Sequence, residues 1–216
     1  MKGTAVVPVK RFGAAKQRLA PGVDEEGRLA LVAAMLGDVL EAIAGARMIE
    51  RTIVVTGEPE AAAAAAAAGA AVVDDPDDRG HSEAALAGIE QAIADGARCV
   101  ALLPGDCPLL EPRELDALLT GIPESFAAVV PDRHGTGTNA LVLSPPHAIA
   151  PAFGEGSRER HVEAAKAAGV PYAVEELPSL ALDLDTPADV LALTTALEFR
   201  RGSAPRTAKV LGVKSR

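Results

Sequence analysis

Aromatic side chains are scarce in this sequence: no tryptophan, one tyrosine and four phenylalanines among 216 residues. Proteins that hold nucleic acid stack bases on aromatic rings and track phosphates with basic stripes. The shortage, with a net charge of −9, argues against a nucleic-acid groove. Cysteine is almost missing as well. Cys99 and Cys107 lack the C-x-x-C spacing of zinc and redox sites, and a reducing, cytoplasmic setting is the expectation. No apolar run reaches the roughly 18 residues that would span a bilayer. Met1-Lys2-Gly3 leads straight into an apolar strand rather than a signal peptide. Neither G-x-x-x-x-G-K-[ST] nor a strict G-x-G-x-x-G occurs, which sets aside P-loop enzymes and ordinary dinucleotide-binding dehydrogenases.

What is present reads as a soluble globular chain, 49% apolar and 24% charged. Its length suits one domain with a sizeable core. The charge is uneven. Residues 1–198 carry 15 basic against 30 acidic side chains, whereas 199–216 carry six basic and no acidic ones. We expect a single domain over 1–198 and a basic tail, frayed or packed, over 199–216.

Strand and helix patterns alternate along the chain. Thr4–Val9 reads as a buried strand. Asp24 caps a helix with the stripe Leu29, Val32, Leu36, Val39, Leu40 and Ile43, ending at Gly45. Strands follow at Arg51–Thr56 and Ala71–Val73, around an alanine-rich helix at 61–68 closed by Gly69. Ser82 is the expected cap of the next helix. Val100–Leu103 is a strand buried on both faces, and Pro112 opens another helix. Phe126–Val130 and Ala140–Leu143 read as strands, Ser157 as a helix cap, and a strand is expected near Ala173. Thr186, Pro187 and Asp189 spell the capping box of a last helix. The rhythm predicts an α/β fold, a three-layer sandwich around a mostly parallel sheet.

Chemistry gathers at a few loops. Asp106 follows the abrupt strand stop Pro104-Gly105, at the edge where open α/β sheets bind ligands. Asp183-x-Asp185 places two carboxylates on one side of an extended segment. With Asp106, these hard oxygen donors could hold Mg²⁺ against a phosphate. Lys10, Arg11, Lys16 and Arg18 bring four positive charges after the first strand, suited to a polyphosphate. The loop from Arg133 to Asn139 offers two glycines, two threonine hydroxyls and an arginine for a phosphate or carboxylate. Gly154 and Gly156 lead into a helix amino terminus at Ser157, a second anion site. His161 reads as a surface or packing residue, and His81 and His134 lack metal spacing.

The set VKRFGAAKQRL, LLPGDCPLL, PDRHGTGTNALVL, FGEGSRERH and LDLDTPADV resembles the phosphoenolpyruvate/2-phospho-L-lactate guanylyltransferases of coenzyme F(420) biosynthesis. The motifs cover about residues 4–198 in the same order. The resemblance implies a Rossmann-like, glycosyltransferase-A-like nucleotidyltransferase using Mg²⁺ and GTP, with Asp106, Asp183 and Asp185 as metal ligands. It implies that Thr138, Gly154 and Ser157 hold a three-carbon phosphorylated acid, phosphoenolpyruvate, 2-phospho-L-lactate or 3-phosphoglycerate; Arg133, from the loop read above, is added as a candidate for the same anion. Lys10, Lys16, Arg18, Gly80, Ser82, Pro104 and Asp106 would meet the nucleotide. Lys16, Arg18 and Asp106 would act in catalysis. Thr138 and Ser157 should then lie on the same side of the sheet as Asp106 and Asp183. One departure falls at Gly80-His81-Ser82, where the family usually reads Gly-Leu-Asn in the nucleotide loop. A molybdopterin or sugar-phosphate nucleotidyltransferase, and a non-catalytic nucleotide-binding domain, stay open as alternatives. The first usually has a glycine-richer loop after strand 1, and the second would lack one of the three carboxylates. A homodimer also stays open.

Overall fold

The computed structural model describes residues 2–13, 16, 24–200 and 202–213. Arg18 lies outside them. The strands are β1 (Gly3–Val9), β2 (Ile49–Thr56), β3 (Ala71–Asp74), β4 (Val100–Leu102), β5 (Phe126–Pro131), β6 (Thr138–Ser144) and β7 (Tyr172–Val174). They form one mixed sheet in the order β3-β2-β1-β4-β6-β5-β7. Every neighbouring pair runs parallel except those of β6, which is antiparallel to both β4 and β5. The helices are α1 (Glu25–Gly45), α2 (Pro59–Ala67), α3 (His81–Ala94), α4 (Pro112–Leu119), α5 (Ser157–Ala168), α6 (Pro187–Phe199) and α7 (Pro205–Val210). The expected α/β sandwich is the observed one.

Strand periodicity sorts the core into two layers. Ala5 and Val7 of β1 point to one side, where they join the buried stripe Leu31, Met35, Leu36, Val39 and Ile43 of α1. Val6, between them, joins Ile53, Val55 and the α3 residues Ala85, Ile89 and Ala92 on the other. Gly88 is what lets α3 come so close: a Cβ there would lie 2.3 Å from Val6 Cγ1. Within the alanine run, Ala61 and Ala65 are fully buried one helical turn apart, so even this low-complexity segment has a packed face.

Helix ends follow local chemistry in some places and glycine geometry in others. Asp24 caps α1 by accepting from Gly27 N–H at 2.8 Å, and Thr186 and Asp189 form the expected capping box of α6. Ser82 and Ser157 are not caps. Gly80 (φ 108°) and Gly156 (φ 69°) hold those positions, because glycine alone enters such backbone angles without strain. Ser82 instead accepts a hydrogen bond from Phe153 N–H at 2.9 Å, tying α3 to the loop before α5. The tail packs as well. The amides of Arg206 and Thr207, at the start of α7, donate at 3.1 and 2.8 Å to Asp38, a buried carboxylate of α1. Among the described residues, no helix is long and apolar enough to cross a membrane.

Candidate active site

Topology brings the loops together. β1 and β4 are parallel neighbours, so Val9 and Leu102 end at the same sheet edge, and Pro104-Gly105-Asp106 emerges there. β6 runs the opposite way beside β4, with Leu102 opposite Leu141. An antiparallel strand begins where its neighbours end, so Thr138, its first residue, also lies at that edge. A cleft of about 660 Å³ opens there. It is lined by Lys10, Lys16, Pro104 and Asp106 from the nucleotide set, Thr138, Gly154 and Ser157 from the acid set, and Asp183 and Asp185. The two sets, distant in sequence, share one cavity on one side of the sheet. A second cleft of about 480 Å³, between α4 and residues 175–178, contains none of them.

Lys16 sits at the centre of the charged half. Its ammonium donates to Asp106 Oδ2 and, at 2.6 Å, to Asp185 Oδ1. Burial penalises this charge, but the Asp106 and Asp185 carboxylates outweigh the penalty and hold its pKa above the usual lysine value. The reverse holds for Asp106: burial opposes its charge, yet Lys16 keeps its pKa below the ordinary range. Lys16 is also, among the described residues, one of three non-glycine residues with positive φ, at 57°. That conformation costs on the order of 1 kcal/mol and persists only where surrounding contacts demand it. Asp183 behaves differently. Burial, then the charges of Asp106 and Asp185, raise its pKa. Among the described residues, no three His, Cys, Asp or Glu side chains stand as a ready metal cluster. Asp106 and Asp185 share the lysine cation, while Asp183 accepts from Asn139 Nδ2 at 3.4 Å.

The other half of the cleft is built from amides and hydroxyls. Arg158 N–H donates to Thr136 O at 3.2 Å, and its guanidinium to Gly135 O at 3.1 Å, fastening the glycine–threonine loop to the start of α5. Arg160 gathers the carbonyls of Ala152, Phe153 and Glu155, and so shapes the turn at Gly154, whose φ is 108°. Ser157 is 1% exposed, and its hydroxyl has no hydrogen-bond partner among the described residues. A buried hydroxyl left without a partner costs free energy, and this one lines the cleft.

Several expected ligands stand elsewhere. Arg133 is not among the cleft-lining residues. Its guanidinium pairs with Asp189, whose other oxygen accepts from the amides of Asp185 and Thr186 at 3.0 and 2.6 Å. The arginine therefore braces the acidic loop rather than reaching into the cavity. Gly80 and Ser82 do not line it either; His81 does, its ring nearly perpendicular to that of Phe153 with centroids 4.6 Å apart. Burial is the largest influence on His81 and lowers its pKa.

Sequence reasoning missed Asn139 and Arg160, and the hydrogen bonds of His161. Asn139 directly follows the glycine–threonine loop, and its side chain donates to Leu180 O at 2.6 Å as well as to Asp183, fixing the approach to the acidic loop. Its place in that motif was the only available signal. His161, expected at the surface or in packing, is fully buried and hydrogen-bonded to Thr138.

Comparisons with known proteins give the family and the fold. Residues 3–199 match the family described as guanylyl transferase CofC like. The chain is 42% identical over 214 residues to the phosphoenolpyruvate guanylyltransferase of Conexibacter woesei, covering 98% of this chain and 96% of that one. A nucleotidyl transferase structure from Methanothermobacter thermautotroptrophicus superposes with TM-score 0.67 at 19% identity, covering 89% and 95% of the two chains. A Mycobacterium tuberculosis protein solved in complex with manganese gives TM-score 0.56 at 22% identity, covering 89% and 98%. With the strand-end acids, the acidic loop and the glycine–threonine loop meeting on one edge of the same sheet, the chain belongs to the guanylyl transferase CofC-like family.

Proposed function

We propose that the protein transfers GMP from GTP to the phosphate of phosphoenolpyruvate or 2-phospho-L-lactate and releases pyrophosphate, a step in making coenzyme F(420). One observation carries this reading: a single cleft joins the cluster of Lys16, Asp106, Asp183 and Asp185 to the Ser157 hydroxyl, which has no partner among the described residues, and to Thr138. The first half suits a polyphosphate, and the second a small anion.

In the reaction, a phosphate oxygen of the acid forms a bond to the α-phosphorus of GTP. The bond from that phosphorus to the bridging oxygen breaks, and the electron pair leaves with pyrophosphate. A phosphate monoester is largely ionised at neutral pH, its second pKa being about 6, so this nucleophile needs no general base. The work left to the protein is alignment and charge neutralisation. Lys16 and Lys10 supply positive charge to the polyphosphate, and Arg18 is assigned the same role. Thr138, Ser157 and the amides at the start of α5 orient the acid.

The donor set fits a hard divalent cation. Carboxylate oxygens from two separate loops, Asp106 and Asp185, already share one positive charge, that of Lys16, and Asp183 adds a third carboxylate to the same cleft. Asp106, Asp183 and Asp185 are the residues that would hold Mg²⁺. When bound, the ion would screen the repulsion between the two phosphates. The reading is tested by measuring pyrophosphate release with GTP or ATP and each three-carbon acid offered separately. Release that depends on GTP and on one phosphorylated acid is expected. Equal turnover with a sugar phosphate would overturn the acid assignment.

A further inference from the structure

We infer that His161 is a positioning residue for the acid substrate: it holds the Thr138 hydroxyl so that its proton points to a ligand in the cleft. This rests on the assignment of Thr138 to the acid subsite. The argument runs along one chain of hydrogen bonds. Ala152 N–H lies 2.8 Å from His161 Nε2. A backbone amide can only donate, so Nε2 must carry a lone pair. Burial, reinforced by the charge of Arg160, lowers the pKa of His161 to about 4, so the ring is neutral at neutral pH. A neutral imidazole with an unprotonated Nε2 carries its proton on Nδ1. Nδ1 lies 3.0 Å from Thr138 Oγ1. The ring therefore donates, and the threonine oxygen accepts.

The consequence falls on the hydroxyl proton. With Oγ1 already accepting, the O–H of Thr138 must be spent as a donor, and no described residue receives it. Thr138 lines the cleft. A substrate carboxylate or phosphate presents only acceptors, so a hydroxyl turned the other way would offer it lone pairs and repel it. The ring is held in this orientation: it is fully buried, and the ring of Phe153 packs against it at a steep angle with centroids 5.3 Å apart. Phe153 in turn contacts His81 at the nucleotide end of the cleft.

The test has two parts. Long-range proton–nitrogen correlation spectra of the uniformly labelled wild-type protein at neutral pH report the tautomer directly. The resonances of His161, assigned by their loss in His161→Asn, should show a protonated Nδ1 and a bare Nε2. A proton on Nε2 overturns the inference. The second part uses kinetics. Asparagine keeps an N–H donor near the place of Nδ1, whereas glutamine reaches only the place of Nε2. His161→Gln should raise the KM for the acid by about ten- to a hundredfold, the worth of a hydrogen bond to a charged group, with the KM for GTP unchanged. His161→Asn should restore most of the loss. In a Thr138→Val background, His161→Gln should add nothing further. If Thr138→Val leaves the KM for the acid unchanged, the subsite assignment fails, whatever the spectra show. If Thr138→Val weakens the acid but His161→Gln does not, or if the two losses multiply, the positioning role is refuted.

Discussion

Ser157→Ala should separate binding from stability. The Ser157 hydroxyl is buried and has no hydrogen-bond partner among the described residues. Removing an unsatisfied hydroxyl from a buried site relieves a desolvation cost of about 1–3 kcal/mol. The residue is the first of α5, and Gly156 rather than Ser157 occupies the cap, so the helix loses no capping bond. The variant should therefore melt at the same temperature as the wild type or above it, by about 2–4 °C for each kcal/mol in a chain of this size. The acid substrate should tell the opposite story. A hydrogen bond to a charged oxygen contributes about 1.5–3 kcal/mol, so the KM for the acid should rise roughly ten- to a hundredfold while that for GTP stays level. Thermal melting without ligand and initial rates at saturating GTP read the two effects separately. A stable variant with unchanged KM for the acid would refute the assignment of this hydroxyl to the substrate.

Other consequences can be read in the same assays. Asp106→Asn and Asp185→Asn each remove one of the two carboxylates that hold the Lys16 ammonium; both should fold and lose most turnover, and near-normal rates from either would count against the cluster. Gly154→Val places a branched side chain at φ 108°, so acid binding should suffer more than from Ser157→Ala, as seen in the KM for the acid. Gly88→Ala forces a Cβ to within 2.3 Å of Val6 Cγ1 and should destabilise by about 1–3 kcal/mol, measured by denaturant unfolding. His161 has a folded pKa of about 4 against an ordinary 6.5, so between these values the unfolded chain binds the extra proton. Stability should fall as pH drops through that window, by about 3 kcal/mol from this group, and the loss should be smaller in His161→Asn.

Much of the framework was legible because it is written locally. Asp24, Thr186 and Asp189 act on amides within a turn of themselves, and a short polar signal before an apolar stripe is enough to place such a helix. Strand spans came out within a few residues, because burial on both faces leaves an unbroken apolar run. What escaped depends on partners far apart in the chain. Ser82 and Ser157 looked like caps, but each sits behind a glycine whose positive φ takes the turn, and no residue-type rule says which of the two residues does so. Arg133 was expected on the substrate and is held instead by Asp189, two motifs later. The lead into the acidic loop is fixed the same way: Leu180 turns back onto Leu177 O at 2.9 Å, and its own carbonyl accepts from Asn139. His161 reads as packing in sequence because its meaning lies in Thr138, 23 residues earlier, and in the antiparallel run of β6 that carries Thr138 to the ligand edge.

The most direct measurement of the central claim follows the label in GTP. With GTP labelled at the α-phosphorus and phosphoenolpyruvate or 2-phospho-L-lactate as acceptor, the label should move to a new diphosphate-linked product. With GTP labelled at the γ-phosphorus, it should appear only in pyrophosphate. Label from the γ position in the acid product, or release of inorganic phosphate in place of pyrophosphate, would contradict nucleotidyl transfer at this cleft.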